Sequence, residues 1–154
     1  LKNNISPCNS YKYLKNEGYK MSYKFGQRSL ANLATCHPKI QEILNEAIQY
    51  IDFTVTCGTR SKEDQDKAFA DGKSKLRWPN SKHNSNPSRA ADVAPYPIDW
   101  NDIKRFAYLM GIIKGIAHAK GIKIVTGCDW DSDGDITDHK FMDWPHFELH
   151  PDEE

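Results

Sequence analysis

The sequence has no long apolar run. No stretch approaches the ~20 residues that span a bilayer as a helix, so a helical membrane anchor is excluded within it. It has no excess of either charge: 21 Lys and Arg balance 21 Asp and Glu. No global field therefore draws the chain to nucleic acid or to a membrane surface. It has no CxxC pair either. The cysteines stand singly at positions 8, 36, 57 and 128, which removes paired-thiol metal and redox motifs. They are expected to be free thiols in a reducing compartment, with Cys57 and Cys128 acting as small buried apolar residues. Repeats and low-complexity linkers are absent. Residues 1–20 carry several lysines but no apolar segment of the signal-peptide kind. They are read as a leader, apart from one catalytic domain over 21–154. A chain of 154 residues is long enough for one proper core and too short for two.

What is present is periodic. Ile40, Ile43, Leu44, Ala47, Ile48 and Ile51 recur at spacings of three and four, which predicts an amphipathic helix over 38–51 with Pro38 in its first turn. Phe53 to Cys57 reads as a strand. Ser61 is placed to cap a short helix that runs to Ala70 and is stopped by Gly72. Residues 71–90 are polar and rich in Lys, Asn, Ser and Pro, and predict a long loop. Ala91 to Ala94 reads as a short strand closed by Pro95. A second amphipathic helix is expected from about Asp102 to Lys120, with Gly121 as its stop. Strands follow at 122–126 and 146–149. Helices and short strands that do not alternate regularly indicate an α+β fold.

Two segments carry chemistry. One runs Ser81-Lys82-His83 to Ala90-Ala91-Asp92, the other is Asp143-Trp144-Pro145-His146. Together they offer two histidines, two carboxylates and a serine. That is enough for three metal ligands, an open fourth position and a separate general base, the requirement of a hydrolytic zinc site. Asp92 lies between apolar residues on a predicted buried strand. An unpaired carboxylate there would be costly, and a cation would offset the cost.

Ser81-Lys82-His83 with Ala90-Ala91-Asp92, an acidic residue three before His146, and Gly58-Thr59-Arg60-Ser61 ahead of Gln65 occur in this order. The pattern resembles the LAS metallopeptidases, which include D-Ala-D-Ala carboxypeptidases and dipeptidases and phage L-alanyl-D-glutamate endolysins. The resemblance covers about residues 25–149. Two departures stand out: the interval from His83 to Asp92 is two residues longer than usual, and Ser88 replaces a customary glycine. The resemblance implies a small mixed domain with a short antiparallel sheet and flanking helices. It implies zinc held by His83, Asp92 and His146, with Asp143 as general base and Arg60 stabilising the oxyanion. Ser81 and Gln65 become supporting or substrate contacts. The activity implied is cleavage of the L-alanyl-D-glutamate bond of peptidoglycan by a monomeric phage endolysin. Such an enzyme is held in the host cytoplasm until release to the wall. The alternatives are a D-Ala-D-Ala carboxypeptidase, and a non-catalytic binding module of the same fold, which would be expected to lack Asp143 or Arg60. His37, His118, His139 and His150 have no comparable partners.

The acidic loop is a separate feature. Asp129, Asp131 and Asp133 alternate, Gly134 follows, and Asp135 and Asp138 complete five carboxylates within ten residues. The first eight positions match an EF-hand calcium loop. The twelfth is Lys140 where a bidentate Glu is expected. A Ca²⁺ site and a solvated acidic turn are the two readings.

Overall fold

The computed structural model describes residues 23–153, so the leader and Cys8 lie outside the described residues. Four α-helices are present: α1 (Gln27–Ala34), α2 (Pro38–Ala47), α3 (Lys62–Ala70) and α4 (Ile103–Ala119). They accompany four strands: β1 (Phe53–Cys57), β2 (Ala90–Pro95), β3 (Ile124–Thr126) and β4 (His146–Leu149). The strands form one sheet of order β1-β2-β4-β3, antiparallel throughout. The α+β reading and the antiparallel sheet therefore hold.

Strand periodicity divides the sheet into two faces. Phe53, Val55, Ala91, Val93, Phe147 and Leu149 enter the hydrophobic core on one face. There they meet Ile40, Ile43, Leu44 and Ala47 of α2, and Leu109, Met110, Ile113 and Ala117 of α4. The other face is polar: Thr56, Asp92, His146 and Glu148 line a cleft. Between Val55 and Cys57 the β1–β2 register shifts, so that Cys57 stands opposite Asp92. A bulge of this kind re-aims the side chain at the strand's end.

The sequence reading misses α1. Its only buried apolar residue is Leu33; the other buried position is Ser29. The helix is held by polar contacts to the edge of β1. Val55 N donates to Ser29 Oγ at 3.2 Å, and Asn32 Nδ2 donates to Val55 O at 2.9 Å. Side chains thus satisfy backbone groups that an edge strand leaves open. Leu30, Leu33 and Ala34 stand at helical spacing, but the helix is only eight residues long and Leu30 is exposed, so its stripe is too short to stand out.

Other boundaries move little. α2 ends at Ala47 rather than Ile51, and β3 begins at Ile124 rather than Ile122. Ser61 caps α3 as expected, accepting from Asp64 N at 3.1 Å. Gly72 and Gly121 take φ of +73° and +69° just beyond α3 and α4, a conformation glycine adopts without strain. The long loop contains one structured turn, the 3₁₀ segment Lys82–Asn84. Cys36, Cys57 and Cys128 are free thiols.

Phe147 is fully buried and lies between the two cleft-facing residues of β4. Replacing it with Ala is expected to lower unfolding free energy by about 3–5 kcal/mol, the range for a large core aromatic. Urea unfolding measures this. A loss below about 1 kcal/mol, far under that range, would show that Phe147 does not hold β4 to the helices.

Candidate active site

Asp92 and His146 are direct partners across the β2–β4 ladder. His83 arrives from the 3₁₀ turn. Ser81 shapes that turn: its Oγ accepts from His83 N at 3.3 Å, while its own N–H donates to Asn84 Oδ1 at 3.2 Å. The turn is tied to the end of β1, since Arg60 N donates to His83 O at 2.8 Å and Asn84 Nδ2 to Arg60 O at 3.1 Å.

Three atoms then meet. His83 Nε2 lies 3.1 Å from Asp92 Oδ1 and 3.2 Å from His146 Nδ1, and His146 Nδ1 lies 3.1 Å from the same Asp92 oxygen. The remaining nitrogens settle the tautomers. His83 Nδ1–H donates to Gly58 O at 2.7 Å, and His146 Nε2–H to Glu148 Oε2 at 3.1 Å. In the neutral rings the converging nitrogens therefore carry bare lone pairs, facing a carboxylate oxygen. Three lone pairs at this separation repel unless a proton or metal lies among them. Ligands about 2.0–2.1 Å from a tetrahedral ion sit ~3.3 Å apart, close to the spacing observed. The donor set fits a metal ion.

Cys57, His83 and Asp92 also bring donor atoms within 4.8 Å of one another. The Cys57 thiol, however, is 3.8 Å from His83 Nδ1, the nitrogen already committed to Gly58. Asp92 and His146 share the opposite ring edge, so the Asp92–His146 side is the coherent donor set.

Charge is organised around Asp92. Its second oxygen accepts from Arg60 Nη2 at 3.0 Å. Burial opposes the Asp92 charge, but His83 and His146 outweigh it and hold the carboxyl well below its usual range. Burial likewise disfavours charge on His83 and His146, but Asp92, joined by Cys57 at His83 and by Glu148 at His146, outweighs it, so both imidazoles are raised. In the metal-free protein a proton is thus held where a metal would be. The Asp143 carboxyl moves upward for a different reason: burial first, then repulsion by Asp92.

Asp143 lines the cleft beside these groups. Its N–H donates to Gly127 O at 2.8 Å, and its O accepts from His146 N at 3.0 Å. Gly127 itself is packed so closely that a Cβ there would collide with the Asp143 backbone and lie 2.9 Å from Asp143 Cβ. Arg60 also lines the cleft, with Nη1 donating to Gln65 Oε1 at 3.2 Å. Gln65 is fully buried and its amide donates to Ser74 Oγ and Leu76 O. The cleft measures about 1020 Å³, with Trp100, Trp130 and Phe141 among its walls.

All five core residues of the sequence reading, His83, Asp92, His146, Asp143 and Arg60, are brought together, as is Ser81. Gln65 reaches the site through Arg60. Three contributors were not read from sequence: the Gly58 carbonyl, Glu148 and Gly127. Only Glu148 left a signal, an acid two residues beyond His146 and so on the same strand face. The acidic loop stands apart. Asp129 is buried and ion-paired with Lys114, while Asp131, Asp133, Asp135 and Asp138 are exposed. His139, unpartnered in the sequence reading, stands 3.3 Å from Asp131 and 3.5 Å from Asp138.

This is an α+β domain whose cleft joins three converging metal-ligating side chains to a further carboxylate and an arginine, the equipment of a hydrolase. Comparison with known proteins agrees. The profile of the phage L-alanyl-D-glutamate peptidase family matches residues 21–150, and the chain belongs to that family. It is 36% identical over 124 residues to the L-alanyl-D-glutamate peptidase of Escherichia phage T5, covering 77% of this chain and 89% of that one. Its structure resembles the crystal structure of the Serratia marcescens L-Ala D-Glu endopeptidase ChiX, with a TM-score of 0.67 and 26% identity. That likeness covers 84% of this chain and 92% of the other.

Gly127→Ala is expected to push Asp143 from its place and to strain His146 with it, because Gly127 N donates to His146 O at 2.8 Å and Asp143 O accepts from His146 N at 3.0 Å. Wall lysis should fall by ~10²-fold, the scale of a 1 Å misplacement at a reacting centre. A folded variant that lyses walls at the wild-type rate would show that the Asp143 segment tolerates the displacement.

Proposed function

We propose that this protein hydrolyses the L-alanyl-D-glutamate bond of the peptidoglycan stem peptide, as a phage endolysin, with zinc held by His83, Asp92 and His146. The observation that carries the reading is the convergence of three lone-pair atoms at 3.1–3.2 Å, each oriented by an outer partner. Such partners fix ring orientation and ligand basicity in metal sites. Bound zinc supplies a Lewis acid that polarises a carbonyl and lowers the pKa of water.

The protein's own groups do the rest. Asp143, which lines the cleft beside the three converging atoms, accepts the proton of the attacking water and returns it to the departing amine. Arg60 is held by Asp92 and Gln65 with further guanidinium N–H groups in reserve. Its charge stabilises the developing oxyanion, a contribution worth about 3 kcal/mol in comparable sites. Ser81 positions His83 and contributes to the cleft wall. Gln65, being fully buried, supports Arg60 rather than meeting substrate. Asp143 and Arg60 in one cleft favour an enzyme over a non-catalytic binding module, and family membership favours this bond over a terminal D-Ala-D-Ala. Residues 21–154 then form one catalytic domain, acting as a monomer on bacterial peptidoglycan. No described helix is long and apolar enough to cross a membrane; storage in the host cytoplasm followed by release to the wall completes the reading.

A second cation site is proposed at the acidic loop, for Ca²⁺. Gly134 N donates to Asp129 Oδ1 at 3.3 Å, and Gly134 takes φ +93°. A calcium loop requires this of its glycine at the sixth place. Asp131, Asp133 and Asp138 bring oxygens within 4.8 Å of one another. The loop leads directly into the segment that carries Asp143.

Two variants separate ligand from base. His83→Ala is expected to lose bound zinc and lysis together. Asp143→Asn should keep near-stoichiometric zinc while turnover drops ~10²–10⁴-fold, the range for loss of a general acid–base group. Metal analysis beside a lysis assay decides, with mass spectrometry to detect new N-terminal D-glutamate. Stoichiometric zinc in His83→Ala, or brisk lysis by Asp143→Asn, would overturn the assigned role.

For the loop, calorimetric titration of zinc-loaded protein with Ca²⁺ should give a binding isotherm that the double change Asp131→Ala/Asp133→Ala removes. No heat up to millimolar Ca²⁺, the weak end of such sites, would leave only a solvated turn.

A further inference from the structure

The cleft carries more positive charge than its chemistry uses. Lys73, Lys75 and Lys82 line it, and among the described residues none of the three forms an ion pair with a carboxylate. Elsewhere Lys39, Lys62, Lys67, Lys114, Lys120 and Lys123 each pair with an acid, whereas Lys24, Lys104 and Lys140 share the unpaired state but do not line the cleft. On the cleft floor Asp92, Asp143 and Glu148 face Arg60, and a bound divalent ion would balance what remains. The three ammonium groups on the wall are therefore surplus, in a chain whose overall charge is zero. Surplus charge in a cleft selects a ligand of the opposite sign.

Lys75 is also the best placed of the three. Buried Gln65 donates to Ser74 Oγ at 3.0 Å and to Leu76 O at 2.6 Å, the residues on either side of Lys75. The same Gln65 holds Arg60. One buried amide thus sets the Lys75 backbone relative to Arg60. At its far end the Lys75 ammonium rests 5.2 Å from the ring centroid of Phe141, two residues before Asp143. A cation over an aromatic face is attracted to it, so the ammonium is held between the loop after α3 and the Asp143 segment.

The anion follows from the linkage. A D-glutamyl residue acylated on nitrogen keeps both carboxyl groups; only one can continue the stem, and the other remains free a few bonds from the scissile nitrogen. We propose that Lys75, with Lys73 and Lys82 lining the same cleft, binds the free carboxylate of the D-glutamyl residue on the departing side of the scissile bond. The inference rests on the bond assignment above and adds a specificity: stems whose glutamyl carboxylate is amidated should be poor substrates.

The test uses the zinc-loaded full chain and two synthetic stem tripeptides that differ only in a free carboxylate or a primary amide on the D-glutamyl residue. Wild type is expected to favour the acid by about tenfold or more in kcat/KM, the scale of one charged hydrogen bond, mainly through KM. In Lys75→Met the acid-to-amide ratio should fall towards one, and Lys75→Arg should restore most of it. Zinc content and thermal unfolding are read for each variant, and Lys75→Gln repeats the test should Met disturb the Phe141 contact. Equal wild-type cleavage of both tripeptides overturns the proposal, as does a folded, zinc-loaded Lys75→Met or Lys75→Gln with the wild-type ratio. Cleavage of neither tripeptide by wild type overturns the bond assignment beneath it, and this inference with it.

Discussion

Asp92 faces His146 across the β2–β4 ladder, and the site is built on that pairing. Side chains alternate along a strand, so a slip of one residue would turn one member of the pair into the core and the other into the cleft. The slip is prevented from the opposite face. Ala91, Val93, Phe147 and Leu149 pack against α2 and α4, and burial of those apolar groups fixes the register. The same hydrophobic constraint that folds the chain therefore aligns the two polar residues on the other side of the sheet. His83 needs separate support, because it comes from a loop. The 3₁₀ turn, its Ser81 cap and the links to Arg60 supply it.

Around that pairing each polar group is oriented by a partner it does not share with the converging atoms. The Gly58 carbonyl orients His83, Glu148 orients His146, and Arg60 takes the second oxygen of Asp92. Gly58 is confined in turn by α1: a Cβ there would collide with Asn32 and Thr35 and come within 3.0 Å of Cys36 Sγ. This gives α1 a purpose its weak apolar character conceals. It closes the edge of β1 and holds the carbonyl that sets one imidazole. The result is a buried cluster of lone pairs with a standing demand for a cation, the electrostatic condition for a metal site.

Much of this was legible from residue order. The helices α2 and α4 bury their stripes against a hydrophobic core, so their periodicity was readable. α1 is eight residues long, buries Leu33 and Ser29 alone and reaches β1 through Asn32, so its stripe was too short to read. The proposed ligands His83, Asp92 and His146, the proposed base Asp143 and Arg60 stood in three short segments whose order resembles a known family. Their supporting atoms did not stand out. A backbone carbonyl such as that of Gly58 has no residue-type signature. The tight contact of Gly127 with Asp143 joins segments sixteen positions apart in sequence. His139 likewise reaches Asp131, eight positions earlier, only when the loop bends back on itself.

The sequence by itself determined the elements with strong apolar periodicity, the α+β class, the lack of an apolar run long enough to span a bilayer and the residue types from which the proposed site is drawn. These depend on local spacing and residue type, which the chain carries in one dimension. Only the tertiary structure decided which nitrogen of each imidazole faces inward. It alone placed Cys57 beside the wrong edge of His83, buried Gln65 behind Arg60, and set Lys75 over Phe141 at the cleft. Those outcomes depend on distances between segments far apart in the chain, set by how β1, β2 and β4 pair and how the helices cover one face of their sheet.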